Sequence, residues 1–391
     1  MNTPPATQAA YVRQTPVAQL PPPASQSGIV GWLRANVFSS VLNVVLTLLS
    51  LGLIALVVPP LLDFMIIDAT WTGNDREACL ASAERPVAGA CWPFIWERLA
   101  YFTYGFYPVA QRWRVDVFFV LLAVGIVWLL APRAKARLWG ALYFFVVMPL
   151  LSYILLLGWP RYGLPYVPTT LWGGMLVTVV VSAIGIVFSL PIGVVLALGR
   201  RSKMPLVRLF SVIFIEFVRG VPLITVLFMA SVMLPLFVPD AWTPDKLLRA
   251  LIGVALFASA YMAEVVRAGL QAVPRGQYEG AMAIGLSYRQ MMALVILPQA
   301  LRTTIPNIVN SYIALFKDTT LVFIVGIFDF LRTIEAARVD PKWATPVTST
   351  TGYVFAGMVY FFFCYLMSRY AHDMERRLAT DHRRRRKRGR R

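Results

Sequence analysis

The chain of 391 residues is 58% hydrophobic and only 14% charged, with a mean hydropathy of +0.65. A soluble domain carries about 25% charge, so this composition excludes a soluble globular enzyme and points to a bilayer as the solvent. The formal charge of +18 is concentrated at one place, because the run from Arg383 to Arg391 alone supplies eight positive charges.

Residues 1–30 are polar and rich in proline (Pro4, Pro5, Pro16, Pro21, Pro22, Pro23), within an N-terminal segment taken as 1–36. That predicts a disordered N-terminus, and the pattern of a cleaved signal peptide is missing. Apolar runs long enough to cross about 30 Å of hydrocarbon follow at 37–62, 115–131, 138–157, 171–198, 209–238, 248–268, 303–328 and 353–370. They are too long for strands and do not alternate. The expectation is an all-α polytopic membrane protein with eight transmembrane helices. The 24 Phe, 16 Tyr and 11 Trp suit aromatic belts at both interfaces.

The net charge of the connecting segments sets the orientation. It is +2 before the first run, zero over 68–114, +3 over 132–137, +1 over 158–170 and +4 over 199–208. It is then zero over 239–249, +2 over 264–302, zero over 329–352 and +8 from Arg369 onward. Every second segment is the positive one, which predicts both termini and the 264–302 loop in the cytoplasm. The 68–114 loop then faces outward, and its Cys79 and Cys91 sit in an oxidising compartment. A disulfide closing a loop of about a dozen residues would contribute roughly 3 kcal/mol. Two free thiols in a mobile loop are the other reading.

The stretch from Val273 to Pro298 is the most informative. Pro274 can open a helix, with Glu279 in its early turns near the positive end of the dipole. Gly285 fits the position just past the end of that helix. Ser287 through Gln290 reads as a capping box that starts a second helix, and Pro298 predicts a kink or break before the next span. Two short helices at a sharp angle make a rigid knuckle suited to a groove on a soluble partner.

This stretch resembles the EAA loop of ABC importer permeases, in which Glu-Ala-Ala is followed after three residues by Gly, and after nine more by Ile-x-Leu-Pro. Glu279, Gly280, Ala281, Gly285, Val295, Leu297 and Pro298 occupy those places, with Gly280 for the first Ala and Val295 for Ile. Residues 171–178, 217–223 and 315–321 look like the permeases of polar amino-acid importers. The extra N-terminal spans resemble those of one permease subunit of the general L-amino acid transporter.

The resemblance implies a type I ABC importer permease core of five helices over 171–373, a three-helix extension over 37–170 and a polybasic cytoplasmic tail over 374–391. It implies a bacterial inner-membrane subunit that translocates L-amino acids by alternating access. Two ATP-binding subunits would dock on Glu279, Gly280, Ala281, Gly285, Leu297 and Pro298. A second related permease and a periplasmic amino-acid-binding protein complete the implied partners. No role for the first three spans follows from the sequence.

Few ionisable groups fall inside the spans. Asp63 and Asp116 stand at span ends, leaving Glu216, Arg219, Lys317 and Asp318. Counted at ~1.5 Å per residue from Arg208, Arg219 lies about 16 Å deep, and Lys317 lies at a similar depth counted from Pro306. A lone charge there costs at least about 2.5–3.5 kcal/mol, so the set implies mutual pairing or a wet cavity holding a charged substrate. Arg219 could fork onto an α-carboxylate while Asp318 or Glu216 accepts an ammonium group. Gly220 and Pro222 would break the fifth span there. The plainer reading pairs Glu216 with Arg219 at i and i+3, and Lys317 across helices. Glu264 and Arg267 share that spacing and read as an interfacial salt bridge before an inner gate.

The chain has no phosphate-cradling Gly-x-x-x-x-Gly-Lys-Ser/Thr run, no His/Cys cluster for zinc and no Gly-x-Ser-x-Gly elbow. No cofactor, metal or catalytic residue is expected, and ATP hydrolysis falls to a separate subunit. The basic tail reads as a contact for anionic membrane lipids rather than for nucleic acid. A secondary amino-acid transporter or channel, uncoupled from an ATPase, is the rival reading; it has no need of a capped knuckle.

Overall fold

The computed structural model describes residues 28–83, 86–130, 137–239 and 242–388. The expectation of disorder over 1–27, two of the three charges of the 132–137 segment and the last three residues of the tail lie outside the described residues. The chain divides into two units, 1–68 and 69–391.

The first unit holds α1 (Gly28–Asn36) and α2 (Val41–Leu62). Residues 28–36 are therefore helical, where the sequence predicted no structure. Ser40 starts α2 by accepting from the Asn43 amide at 3.2 Å. Beyond Pro59 and Pro60 the helix widens into an i→i+5 turn over Asp63–Ile67, so the apolar stretch runs from Val41 to Ile67.

The second unit opens with a structured module where the sequence left a loop. Asp75 caps a short turn at Arg76–Cys79, Cys79 is joined to Cys91 by a disulfide, and α3 (Trp92–Tyr104) follows at once. Trp92, Phe94, Ile95 and Phe102 are all at most 6% exposed. Each such burial is worth about 1.5–3 kcal/mol at most, and Glu97 and Arg98 between them hid this helix from a search for long apolar runs. The chain then crosses as α4 (Arg112–Leu130) and returns from Arg137 to Leu157 as α5 (Arg137–Leu142), a wide turn and α6 (Met148–Leu157).

The core begins with α7 (Gly174–Arg200). Next come α8 (Pro205–Gly220), α9 (Leu223–Phe228) and α10 (Leu234–Phe237). Gly220–Pro222 breaks this span, and its two halves meet at 107°. After α11 (Lys246–Ala272) and α12 (Arg275–Ala283), α13 (Tyr288–Gln290) and α14 (Leu297–Asp318) belong to one long helix. No break occurs at Pro298. The proline lacks the N–H that would close the preceding turn, and the helix answers with a wide turn over Met291–Ile296. The second half of the expected knuckle is thus the start of a 38-residue helix, Tyr288–Val325. Short α15 (Phe330–Ala337) and long α16 (Pro346–Arg388) complete the chain.

Among the described residues seven helices are long and apolar enough to cross a membrane, or eight if the bent pair counts as one span. Small residues let α7 approach its neighbours closely. A Cβ at Gly193 would stand 2.8 Å from the Met262 Cβ, and one at Gly185 would stand 2.7 Å from a Leu315 methyl. On another side of α7, Phe118, Leu122, Phe144 and Met148 of the extension join Val180 and Val187 in one apolar cluster. Arg114, wholly buried, fastens this buttress by donating to the Leu155 carbonyl at 2.5 Å and the Pro165 carbonyl at 2.9 Å. At the N-terminal end of α7, where Gly174 lies against Phe102, the α3 module is clasped to the segment after α15 by Arg98 to Asp340, and by Lys342 to Glu97 at 2.7 Å.

Candidate functional site: a displayed helix and a charge cluster

At the opposite end of α7, the helix α12 is built by local rules. Pro274 stands at its start with φ −58°, and its carbonyl accepts from the Gln277 amide at 3.0 Å. Gly285 takes φ +78°, the left-handed geometry that glycine adopts without a Cβ penalty. The Leu286 amide then closes back on the Ala281 carbonyl at 3.2 Å. Ser287 and Gln290 make the full reciprocal capping box.

Of the residues singled out in the sequence, Glu279, Gly280, Gly285 and Pro298 are exposed, Leu297 is half-buried, and Ala281 is 4% exposed and packs inward. A Cβ at Gly280 or Gly285 would meet nothing within 4 Å. Exposed Met282 and Ile284 add an apolar surface beside Glu279.

The residues that hold α12 in place were not visible in the sequence. The Tyr278 hydroxyl donates to the Leu270 carbonyl at 2.9 Å and receives Arg201 Nη1 at 3.1 Å. The Arg201 guanidinium also lies 5.6 Å from the Tyr278 ring centroid. Gln299 Nε2 donates to Gln277 Oε1 at 3.1 Å, tying α12 to α14. Each pair joins different elements, so spacing along the chain carries no sign of it.

Beside this lies a cluster of charge centred on Glu264, whose side chain is 16% exposed. Arg200 reaches it at 2.8 Å and Arg267 at 2.8 Å, and Arg219 lies 3.7 Å away. Arg200 also binds Glu216 at 2.9 Å. Glu216 and Arg219 therefore turn to partners on α7 and α11 rather than to each other. The depth counted for Arg219 took α8 as an upright span; with a 107° bend after Gly220, its rise along α8 is not simply depth. Arg219 is also 5.7 Å from the Tyr261 ring centroid. Three guanidinium groups face two carboxylates, which leaves one positive charge in excess.

Lys317 and Asp318 stand elsewhere. Gly185, near the middle of α7, lies against both Val254 and Leu315, which puts the end of α14 level with the middle of α7. Glu264 follows Val254 by ten residues of α11, about 15 Å along a helix. The structure thus brings Glu216 and Arg219 together with Glu264, Arg200 and Arg267, and leaves Lys317 and Asp318 at a separate level. Among the described residues no group of three or more His, Cys, Asp or Glu is placed to hold a metal ion.

A helical, multi-pass membrane protein with a capped helix displayed at one end and charges held between its spans is built as a transport component. The family described as the binding-protein-dependent transport system inner membrane component matches residues 189–380. The chain is 48% identical over 367 residues to the inner membrane amino-acid ABC transporter permease protein YhdY of Escherichia coli (strain K12), a match covering 92% of this chain and 96% of that protein. It is 39% identical over 436 residues to the glutamate/glutamine/aspartate/asparagine transport system permease protein BztC of Rhodobacter capsulatus, covering 95% and 99%. Both likenesses take in the N-terminal extension, whereas the family match begins within α7. A crystal structure of an amino acid ABC transporter with histidines is similar with TM-score 0.46 and 26% identity, over 56% of this chain and 96% of that one. The chain belongs to the binding-protein-dependent transport inner membrane family and is a multi-pass ABC transporter permease of the inner membrane.

Proposed function

We propose that this permease carries L-amino acids inward across the membrane, driven by two ATP-binding subunits that dock on the surface around Glu279, Gly280, Ala281, Gly285, Leu297 and Pro298, with both termini in the cytoplasm. A second related permease completes the translocation unit, and a periplasmic amino-acid-binding protein delivers the ligand. The observation that carries this reading is α12, a capped helix fixed from behind by Tyr278 and Gln277 that leaves Glu279, Gly280 and Ile284 exposed. The relatives named above, permeases for amino acids, support the substrate class. The charge count of the connecting segments supports the orientation.

The two charged levels suit a zwitterion met in succession. The carboxylate and ammonium of an amino acid sit on one carbon, so groups about 15 Å apart cannot hold both at once. Asp318 receives the ammonium group at mid-span, with Lys317 beside it. Arg219, the most weakly paired guanidinium of the cluster at 3.7 Å from Glu264, then receives the carboxylate near the α12 end, with Glu216 alongside.

The test is uptake of labelled L-amino acids by vesicles carrying the assembled transporter. Asp318→Asn and Arg219→Ala should each lower uptake about tenfold or more, as loss of a charged hydrogen bond implies, while the ATP-binding subunits stay bound. Unchanged uptake in both variants removes these residues from the pathway.

A further inference from the structure

Two adjacent residues at the end of α7 face different machinery. Arg200 holds Glu264 at 2.8 Å and Glu216 at 2.9 Å, closing the charged cluster between α7, α8 and α11. Arg201, its neighbour in the chain, holds the Tyr278 hydroxyl of α12 at 3.1 Å and lies over its ring. Tyr278 in turn donates to the carbonyl of Leu270, six residues beyond Glu264 on α11. The contacts form a closed circuit: α12 to Arg201, through one peptide bond to Arg200, on to Glu264, and along α11 back to Tyr278.

We propose that Arg200 and Arg201 act as a mechanical link that turns displacement of α12 into opening of the Glu264 cluster, with Tyr278 as its grip on the docking helix. The inference rests on the reading of α12 as the ATPase-docking element and adds the positions through which its movement is passed on. The physical reason lies in geometry. Arg200 and Arg201 sit in one hydrogen-bonded turn, closed by the Ser202 amide on the Gly199 carbonyl at 3.0 Å, so a displacement of one is passed to the other. Arg201 is also the cap of α7, its amide bonded to the Leu198 carbonyl at 3.1 Å, so it is not a loose loop residue.

A pull on Tyr278 therefore shifts the end of α7 and draws Arg200 against Glu264 and Glu216. Those carboxylates are shared with Arg267 and Arg219, so the cluster has other pairings to fall into when Arg200 is drawn away. A packed element with two alternative arrangements is what coupling between sites requires. Arg201 and Tyr278 are positioning residues in this scheme; neither touches the ligand.

The experiment uses the whole transporter, purified through a tag on this chain and reconstituted in vesicles, with ATP hydrolysis and uptake of labelled L-amino acids measured on the same sample. Arg201→Ala and Tyr278→Phe should keep the ATP-binding subunits bound and hydrolysis running while uptake falls. The ratio of ATP hydrolysed to solute moved should rise about fivefold or more, the lower range of couplings between sites. Arg201→Lys, which can still donate to the Tyr278 hydroxyl, should restore most of the ratio.

An unchanged ratio in both variants overturns the link. So does loss of the ATP-binding subunits from both, since Arg201 and Tyr278 would then serve only to support docking. A wild-type sample that carries no ATP-binding subunit overturns the docking reading itself, and the link with it.

Discussion

Glu264 and Arg200 are 64 residues apart in the chain and 2.8 Å apart in space. The pair joins α7 to α11 at the end of the core that displays α12, and both side chains are less than a third exposed. Removing the carboxylate leaves three guanidinium groups to share Glu216. Glu264→Gln should therefore destabilise the purified chain by about 1–3 kcal/mol, below the full cost of breaking a buried pair because neither side chain is fully enclosed. Arg219→Ala should cost less than about 1 kcal/mol, since its contact is longer and more exposed. Thermal unfolding in detergent distinguishes the two; equal effects would mean that the cluster has no centre at Glu264.

The close approach of α3 to the start of α7 gives a sharper test of the fold. Gly174 has φ +65°, its amide donates to the Phe328 carbonyl at 2.9 Å, and an added Cβ would fall 2.2 Å from the Phe102 carbonyl oxygen. Backbone atoms cannot yield as a side chain does. Gly174→Ala should cost several kcal/mol and prevent recovery of folded protein, whereas Gly280→Ala, inside α12 with open space around it, should raise stability by about 0.5–1 kcal/mol. Expression yield and melting temperature read both.

The disulfide between Cys79 and Cys91 spans 12 residues beside the buried start of α3. Cys79→Ser should lower stability by about 2–4 kcal/mol. Reductant should lower the melting temperature of the wild type and leave the variant unmoved. Thiol labelling of the unfolded, unreduced chain should find Cys364 alone.

Asp329 offers a pH-dependent test. It is fully buried at the start of α15, where its carboxylate accepts from the Leu331 amide at 3.0 Å and the Arg332 amide at 3.2 Å. Burial pushes its pKa from an ordinary value of 3.8 up to about 7, against the pull of those amides. A carboxyl that holds its proton more tightly when folded stabilises fully below pH 3.8, and that contribution is lost as the pH rises to about 7. Asn keeps the cap through its carbonyl and cannot ionise. The melting temperature of Asp329→Asn should therefore gain on that of the wild type as the pH is raised from 4 to 7, then hold a constant lead. A constant difference across the range would show that Asp329 is ionised throughout.

What the sequence disclosed follows from the range of each interaction. The caps of α12 were legible because Pro274, Gly285, Ser287 and Gln290 act within a turn of themselves. Most spans were legible because each is a long apolar run, whereas the fifth is bent by 107° after Gly220 and carries Glu216 and Arg219. α3 was missed, since Glu97 and Arg98 interrupt a helix of only 13 residues and their partners Lys342 and Asp340 lie far along the chain. The pairing of Glu216 was missed for the same reason: its i+3 neighbour Arg219 was in view, whereas Arg200 comes close only after the chain turns between α7 and α8. Pro298 misled in a different way, because a long helix absorbed the missing donor by widening.

The measurement that bears most directly on the account is purification of the tagged chain in mild detergent, with mass spectrometry of its companions and reconstitution of the product. An ATP-binding subunit and a second permease should accompany the wild type, and the reconstituted sample should move labelled L-amino acids only with ATP. Glu279→Ala combined with Gly285→Val should release the ATP-binding subunit, because the β-branched residue cannot keep φ +78°. A chain that emerges alone and moves solute without ATP would contradict the account.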